Sequence, residues 1–488
     1  MRSPFIFIYY FLAFVLIGLS GWIESSFDNP TIDQIIYHMY YSEGAAIKFG
    51  RIFAITFMAE CIVFPIVFSA IATFTHRIIF RRFFQSSDDV LLSVQRTCTQ
   101  VLQKTLFWSM PIAAVVMGTT ILLLKLSVFS YIGYYFSEDQ FSHNFANPND
   151  VKLTKGKLKN LVLIYVESLE DTYGDTQLFD SDLLLPLRRL GGVHFQSYKP
   201  AAGATWTMGG IVATQCGVPL RVYSEYDFKR DSAQSRAFLP GATCLGDIFE
   251  SFGYHNVFLG GAPLSFAGKG AFLKDHGYQT VYGRDEWEKA GVNSNEMSEW
   301  GLYDSALLEN AKKQLRTLHA SGQPFNLTIL TLDTYNPRGF LSKHCRDHGA
   351  SNFEGIVQCT SQQLADFVNF MSSSGYMIDT NIVIIGDHLA VPNPVFDKLK
   401  LAPERHIFNL FISDSPLKKN TEVILPFDIF PTIIELSGIN VDGDRLGLGY
   451  SGFFEQEVPR PTHRLEELTL PSIGGSASYN RLWRPVKK

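Results

Sequence analysis

The first third of the chain and the remainder follow different hydrophobic rhythms. Ser3–Ile23 is an uncharged apolar run centred on PFIFIYYFLAFVLIGLSGW, and Ile52–Thr75 and Leu106–Leu124 are two more. About 20 apolar residues suffice to cross a bilayer as a helix. A signal peptide would also begin with such a run, but the two later runs predict three transmembrane helices instead. Glu60 interrupts the second run and Pro65 bends it. LSVFSYIGYYF (Leu126–Phe136) is aromatic and apolar at mixed spacing. It reads either as an interfacial segment or as an extension of the third helix.

After a polar stretch, the pattern changes to short apolar runs between helix-like segments. LVLIYV (161–166), NVFLG (256–260), FNLTILTL (325–332), NIVIIG (381–386) and IFNLFI (407–412) are continuous, β-rich runs. Helical periodicity falls near 206–215, 243–252, 301–319, 360–374 and 427–437. Continuous apolar strands alternating with helices predict an α/β domain whose mostly parallel sheet is covered on both faces. The organisation expected is a membrane region over 1–136, a linker over 137–157, a catalytic domain over 158–455 and a surface tail over 456–488.

Charge orients the membrane region. Arg77, Arg81, Arg82, Arg96 and Lys104 follow the second run, whereas Glu24, Asp28, Asp33 and Glu43 face Lys48 alone after the first. The positive loop is expected in the cytoplasm, which puts the N-terminus inside and everything after Lys125 outside. Among the polar residues beyond it, Lys152, Lys155, Lys157 and Lys159 could touch anionic headgroups or form a solvated face. The formal charge of −5 argues against nucleic-acid binding. Of six cysteines, Cys61 and Cys98 fall in the second run and the inner loop, leaving Cys216, Cys244, Cys345 and Cys359 outside. Four exported cysteines allow three pairings; the two local in sequence, Cys216–Cys244 and Cys345–Cys359, are expected.

In a parallel sheet, chemistry collects at the carboxyl ends of strands. Glu167 and Ser168 follow the first strand directly, Asp333, Thr334 and Tyr335 follow the third, and Asp387 and His388 follow the fourth. Two carboxylates and an imidazole can hold a cation such as Mn²⁺ or Zn²⁺. Each strand-end aspartate alone reads equally as a cap or turn residue. PAAGATWTMGGIVATQCG (200–217) adds hydroxyls, Thr205 and Thr207, before a helix-like run. A hydroxyl at a helix N-terminus sits where an anion is favoured, and either threonine also fits a plain N-cap. Trp206 between them lines a pocket or packs in the core.

YVESLE (165–170), GAT (203–205), FAGKGAFLKDHGY (266–278), GLYD (301–304), TLDTYNP (331–337), GDH (386–388) and FDIFPTIIELSG (427–438) occur in this order. The set resembles the membrane-anchored phosphoglycerol transferases of the sulfatase and alkaline-phosphatase superfamily. FAGKGAFLK and QCGVPL are similar to the branch that modifies membrane-derived oligosaccharides, with lipoteichoic acid synthases more distant. The resemblance covers about residues 158–450. It implies an α/β/α sandwich and one divalent metal, Mn²⁺ first and Zn²⁺ or Mg²⁺ as alternatives, held by Glu167, Thr205, Asp387 and His388. It implies Thr205 as the nucleophile, with Thr207 in reserve. Lys269 falls where relatives place a basic residue that holds the substrate phosphate; Tyr335 and Asp333 are further substrate-binding candidates, and Arg338 beside Pro337 could contact phosphate. Tyr335 stands where many relatives have histidine, and a phenol is a poor base near neutral pH; His344 or His348 could substitute. The chain ends soon after this region, whereas some relatives continue into a further domain.

The implied activity is transfer of phosphoglycerol from phosphatidylglycerol to a periplasmic glucan, at the bacterial inner membrane, through a phosphoglycerol-threonine intermediate with release of diacylglycerol. Three alternatives are a phosphoethanolamine transferase acting on lipid A, a non-catalytic envelope protein keeping the fold, and a sulfatase. Sulfatases carry C-x-P-x-R; Cys216-Gly-Val-Pro219-Leu-Arg221 has one residue too many before the proline.

Overall fold

The computed structural model describes residues 3–27, 30–41, 51–85, 93–133, 136–221, 237–453, 459–461, 464–469, 473 and 476–484. The chain divides into two units, one of Met1–Ile35 with Gly50–Tyr131 and one of Ile36–Phe49 with Ile132–Lys488. Tyr134 and Tyr135 of the aromatic stretch, and Asp28, Glu43 and Lys48 of the first loop, lie outside the described residues.

The first unit is helical. Its helices are α1 (Ser3–Phe27), the first turn of α2 (Ile32–Tyr41), α3 (Arg51–Met58), α4 (Phe64–Gln85) and α5 (Ser93–Lys125). Three stretches are long and apolar enough to cross a membrane: Pro4–Phe27, Ala54–Arg81 and Thr105–Lys125. The second continues as helix through Glu60, which lies in a π-helical turn, Ala59–Val63, between α3 and α4, and on past Pro65. Polar side chains within this unit pair across helices. Tyr10 hydrogen-bonds His76 at 3.0 Å, and the Trp22 indole donates to Thr56 at 3.0 Å. Apolar side chains such as Ile55, Phe74 and Val116 point outward, as lipid-facing residues do.

The second unit is built on six strands. In chain order they are β1 (Asn160–Val166), β2 (His255–Gly260), β3 (Thr280–Tyr282), β4 (Phe325–Leu330), β5 (Thr380–Gly386) and β6 (Asn409–Ile412). Their spatial order is β3-β2-β4-β1-β5-β6, all parallel except β6, which runs antiparallel along β5 at the edge. The helices around it are α6 (Thr207–Cys216), α7 (Lys269–Asp275), α8 (Asp304–Ser321), α9 (Phe353–Ser373) and α10 (Pro426–Leu436). Leu161, Leu163 and Tyr165 of β1 pack with α6 and α10, whereas Val162, Ile164 and Val166 pack with α8 and α9. Because both faces are covered, the strand reads as an unbroken apolar run.

Three expectations shift. The stretch 137–157 is folded onto this unit: Phe141 is buried against Phe145 and Tyr479, and Leu153–Lys155 pairs with Ile439–Val441. Among the described residues after 456, Ile473, Tyr479 and Leu482 are buried too. Short elements held by long-range contacts leave no periodicity to read. Third, α9 begins seven residues before 360, where the Asn352 side chain caps it by accepting from the Gly355 amide. β3, only three residues long, gives too short a pattern to register.

Both expected disulfides are present, Cys216–Cys244 at the end of α6 and Cys345–Cys359 tying the short helix Lys343–Asp347 to α9. Replacing Cys345 and Cys359 by serine removes a cross-link over 14 positions. Denaturation of the variant is expected to show a loss of about 3 kcal/mol on the chain-entropy estimate.

Candidate active site

Register brings the first pieces together. β1 and β5 are in step to their last residues, with Val166 opposite Gly386. Glu167 and Asp387, one residue further on, therefore emerge side by side. The backbone of Glu167 is held by the segment after β4: its amide donates to Thr331 Oγ1 at 3.0 Å and its carbonyl accepts from Thr334 Oγ1 at 2.6 Å. Ser168 then turns with a left-handed φ of 54°, donating its amide to Asp387 Oδ1 at 2.8 Å and its hydroxyl to Glu167 Oε1 at 2.8 Å.

His388 completes the cluster. Its Nδ1 lies 2.7 Å from the Leu389 carbonyl, which can only accept, so Nδ1 carries the hydrogen. Nε2 is thereby aimed inward, 3.5 Å from both Glu167 Oε1 and Asp387 Oδ2. One donor atom from each of Glu167, Asp387 and His388 lies within 4.8 Å of the others, and all three residues are buried. Asp387 Oδ1 takes the His388 amide at 2.9 Å, but Asp387 Oδ2 is buried without a hydrogen-bond partner among the described residues. A buried carboxylate oxygen left bare beside an imidazole nitrogen and a second carboxylate fits a divalent cation with mostly oxygen ligands.

The hydroxyl that reaches this cluster belongs to Thr207, not Thr205. Thr207 Oγ1 is 3.3 Å from Glu167 Oε2 and 3.5 Å from His388 Nε2. Thr207 is the first residue of α6, which directs its side chain at the strand ends, whereas Thr205 is exposed at the preceding bend. Gly210 allows the approach: a Cβ there would stand 2.0 Å from the Asp387 carbonyl oxygen. Gly210, a glycine inside a helix, is the readable sign of this contact.

Electrostatics follow from burial. Burial opposes charge on His388, but Asp387 and Glu167 outweigh it and push the imidazole up to about 9. Burial, then repulsion from Glu167, raises Asp387 to about 7. Glu167 is also pushed up by burial, yet His388 holds it below its usual value. Lys269, at the start of α7 and 3% exposed, is lowered by burial to about 8 while Glu167 and Asp387 pull it upward. Tyr335 stacks on Trp300 at 5.5 Å; burial, then the same two carboxylates, raise its phenol well above the usual range. The field of the cluster thus reaches both residues.

Other expected residues stand apart. Asp333 is fully buried, and Asp304 uses its own carboxylate to take the Leu332 and Asp333 amides at 2.6 and 3.2 Å. Burial, then Asp304, pushes Asp333 well above the usual carboxylate value, and its Oδ1 accepts the Asp304 amide at 3.3 Å. Arg338 is exposed and paired with Glu299 at 2.7 Å. His344 and His348 are exposed on and just after the short helix Lys343–Asp347. A further ion pair, of buried Glu170 with half-buried Arg405, has little signal in the sequence. Glu170 takes the Ala390 amide at 3.0 Å and both nitrogens of the Arg405 fork, fixing the backbone just beyond His388. Its position three residues after Glu167 was the only signal.

Residues 159–439 match the sulfatase family. The chain belongs to that family. As a sulfatase-family member it departs from the C-x-P-x-R chemistry, because Cys216 is committed to its bond with Cys244. Curated relatives of the chain include phosphoglycerol transferases, as the motifs imply. Phosphoglycerol transferase I of Escherichia coli O6:K15:H31 (strain 536 / UPEC) is 35% identical over 345 residues, 67% of this chain and 43% of that protein. Phosphoglycerol transferase I of Shigella flexneri is 35% identical over 340 residues, with the same coverage. The chain thus spans less than half the length of these relatives. Among solved structures, lipoteichoic acid synthase from Listeria monocytogenes is 17% identical, covering 62% of this chain and 78% of that one, with a TM-score of 0.47.

Two outcomes follow. Ligation requires bare donor atoms, so a cation must displace the proton on His388 below about pH 9 and a second on Asp387 below about pH 7. Mn²⁺ affinity, read by calorimetry, should fall by about tenfold per pH unit for each displaced proton as the pH drops. Gly210→Ala should cost about 1–3 kcal/mol by overpacking and abolish the rise in melting temperature on adding Mn²⁺; an unchanged rise would show that α6 need not approach Asp387.

Proposed function

We propose that the chain is a membrane-bound phosphoglycerol transferase with Thr207 as its nucleophile. The observation that carries this reading is the Thr207 hydroxyl, held at a helix N-terminus 3.3 Å from Glu167 and beside the buried His388. The donor is phosphatidylglycerol, the acceptor is a hydroxyl of a glucan outside the cytoplasm, and the three apolar helices keep the enzyme at the lipid. Two disulfides in the second unit support its export, since such bonds persist in oxidising compartments.

Glu167, Asp387, His388 and Thr207 would hold one divalent cation, Mn²⁺ first and Zn²⁺ or Mg²⁺ next. When bound, it supplies positive charge that favours an ionised hydroxyl and a phosphate under attack. The residues do the rest. Glu167 Oε2 accepts the Thr207 hydrogen and so aims the oxygen lone pairs. The N-terminus of α6 and Lys269 favour the phosphate charge. Thr207 Oγ1 forms a bond to phosphorus, the bond from phosphorus to the diacylglycerol oxygen breaks, and that oxygen leaves with the proton Thr207 gives up. An acceptor hydroxyl then attacks the phosphoglycerol-threonine, and its proton returns to Thr207. Two easier displacements replace one difficult transfer.

With headgroup-labelled phosphatidylglycerol and Mn²⁺, label should appear on the peptide spanning Ala201–Gln215, with fragmentation placing it on Thr207. Thr207→Ala should lose transfer by about 10³-fold or more, as removal of a nucleophile does, while Thr205→Ala keeps most of it. Label on Thr205 would move the nucleophile. Label from phosphatidylethanolamine alone would replace the reading with phosphoethanolamine transfer.

A further inference from the structure

The second unit takes part of its core from far upstream. Ile36, Tyr37 and Tyr41, at the end of α2, pack with it. Tyr37 in this segment is 1% exposed, and its hydroxyl donates to the Ala267 carbonyl at 2.6 Å. That carbonyl belongs to an unusual turn. Ala267 has φ 54° and Gly268 φ 68°, and Lys269 begins α7 directly after them. A non-glycine residue in the left-handed region costs about 1–2 kcal/mol, so the turn persists only where its surroundings hold it. Tyr37 and Tyr41 cover it: a Cβ on Gly268 would stand 3.3 Å from the Tyr37 hydroxyl and 2.9 Å from the Tyr41 ring.

The same tyrosine touches the other arm of the site. Its ring meets Trp206 edge-on at 4.7 Å, and Trp206 immediately precedes Thr207. His38 packs on Trp206 at 4.9 Å and on Phe266 at 5.7 Å. Phe266 continues to Trp300 at 5.0 Å, and Trp300 to Tyr335. One aromatic wall therefore runs from the upstream segment behind Thr207 and past the Lys269 turn.

We propose that Tyr37 is a positioning residue of the active site: its hydroxyl fixes the Ala267–Gly268 turn that presents Lys269, and its ring backs the tryptophan before Thr207. It touches neither phosphate nor cation and acts through Lys269. The proposal rests on the reading of Lys269 as a phosphate-binding residue.

The test uses the full chain in detergent with Mn²⁺. Tyr37→Phe keeps the ring and removes one hydrogen bond. KM for phosphatidylglycerol should rise about fivefold to tenfold, what one such bond is worth, with kcat within about twofold. Hydrogen exchange should quicken in peptides covering Phe266–Asp275 and stay unchanged in those covering Thr380–Gly386. In a Lys269→Ala background, Tyr37→Phe should have no further effect on KM, since neighbours acting through one group do not add. Additive effects, an unchanged KM, or faster exchange throughout the unit would overturn the proposal. If the wild-type chain does not turn over phosphatidylglycerol, the transfer reading fails by itself. The same four proteins titrated with inorganic phosphate then decide the role of Tyr37, by whether its loss weakens binding only when Lys269 is present.

Discussion

The centre depends on burying two carboxylates side by side. Glu167 and Asp387 leave neighbouring strands at the same level and meet out of contact with bulk water, where like charges repel and desolvation is costly. Everything around them answers that cost. Ser168 lends both its amide and its hydroxyl, His388 is drawn toward its charged form, and Lys269 stands buried nearby. One oxygen of Asp387 still has no hydrogen-bond partner among the described residues. A divalent cation fits beside that oxygen, and Gly210 lets the first turn of α6 approach the Asp387 backbone closely.

The layout was legible because it is written in local pattern. Five of six strands were readable as apolar runs, since a strand covered on both faces has no polar side to break it. The strand-end rule then selected Glu167, Asp387 and His388 from forty-seven acidic residues and twelve histidines. The two disulfides were also readable, because each joins cysteines close in sequence.

The rest was hidden where direction matters more than position. Thr205 and Thr207 are both hydroxyls at a helix start, and only the orientation of the first helical turn separates an exposed one from one facing the cluster. Asp333 sits at a strand end like Asp387, but Asp304 from another helix turns it into a buried prop. Arg338 is spent on Glu299 at the surface. The packing of Phe141, Tyr479 and Tyr37 involves partners hundreds of positions away, and no window of sequence contains both sides of such a contact.

The hydrogen bond from Tyr37 to Ala267 joins residues 230 positions apart, and this has a consequence for biosynthesis. Tyr37 is made long before any strand of the sheet. Its hydroxyl can meet its partner only after the turn has been translated, and contacts of such long sequence separation form slowly. The catalytic unit is therefore discontinuous along the chain. A fragment begun after the third apolar helix would fold, if at all, around a gap where an aromatic ring belongs.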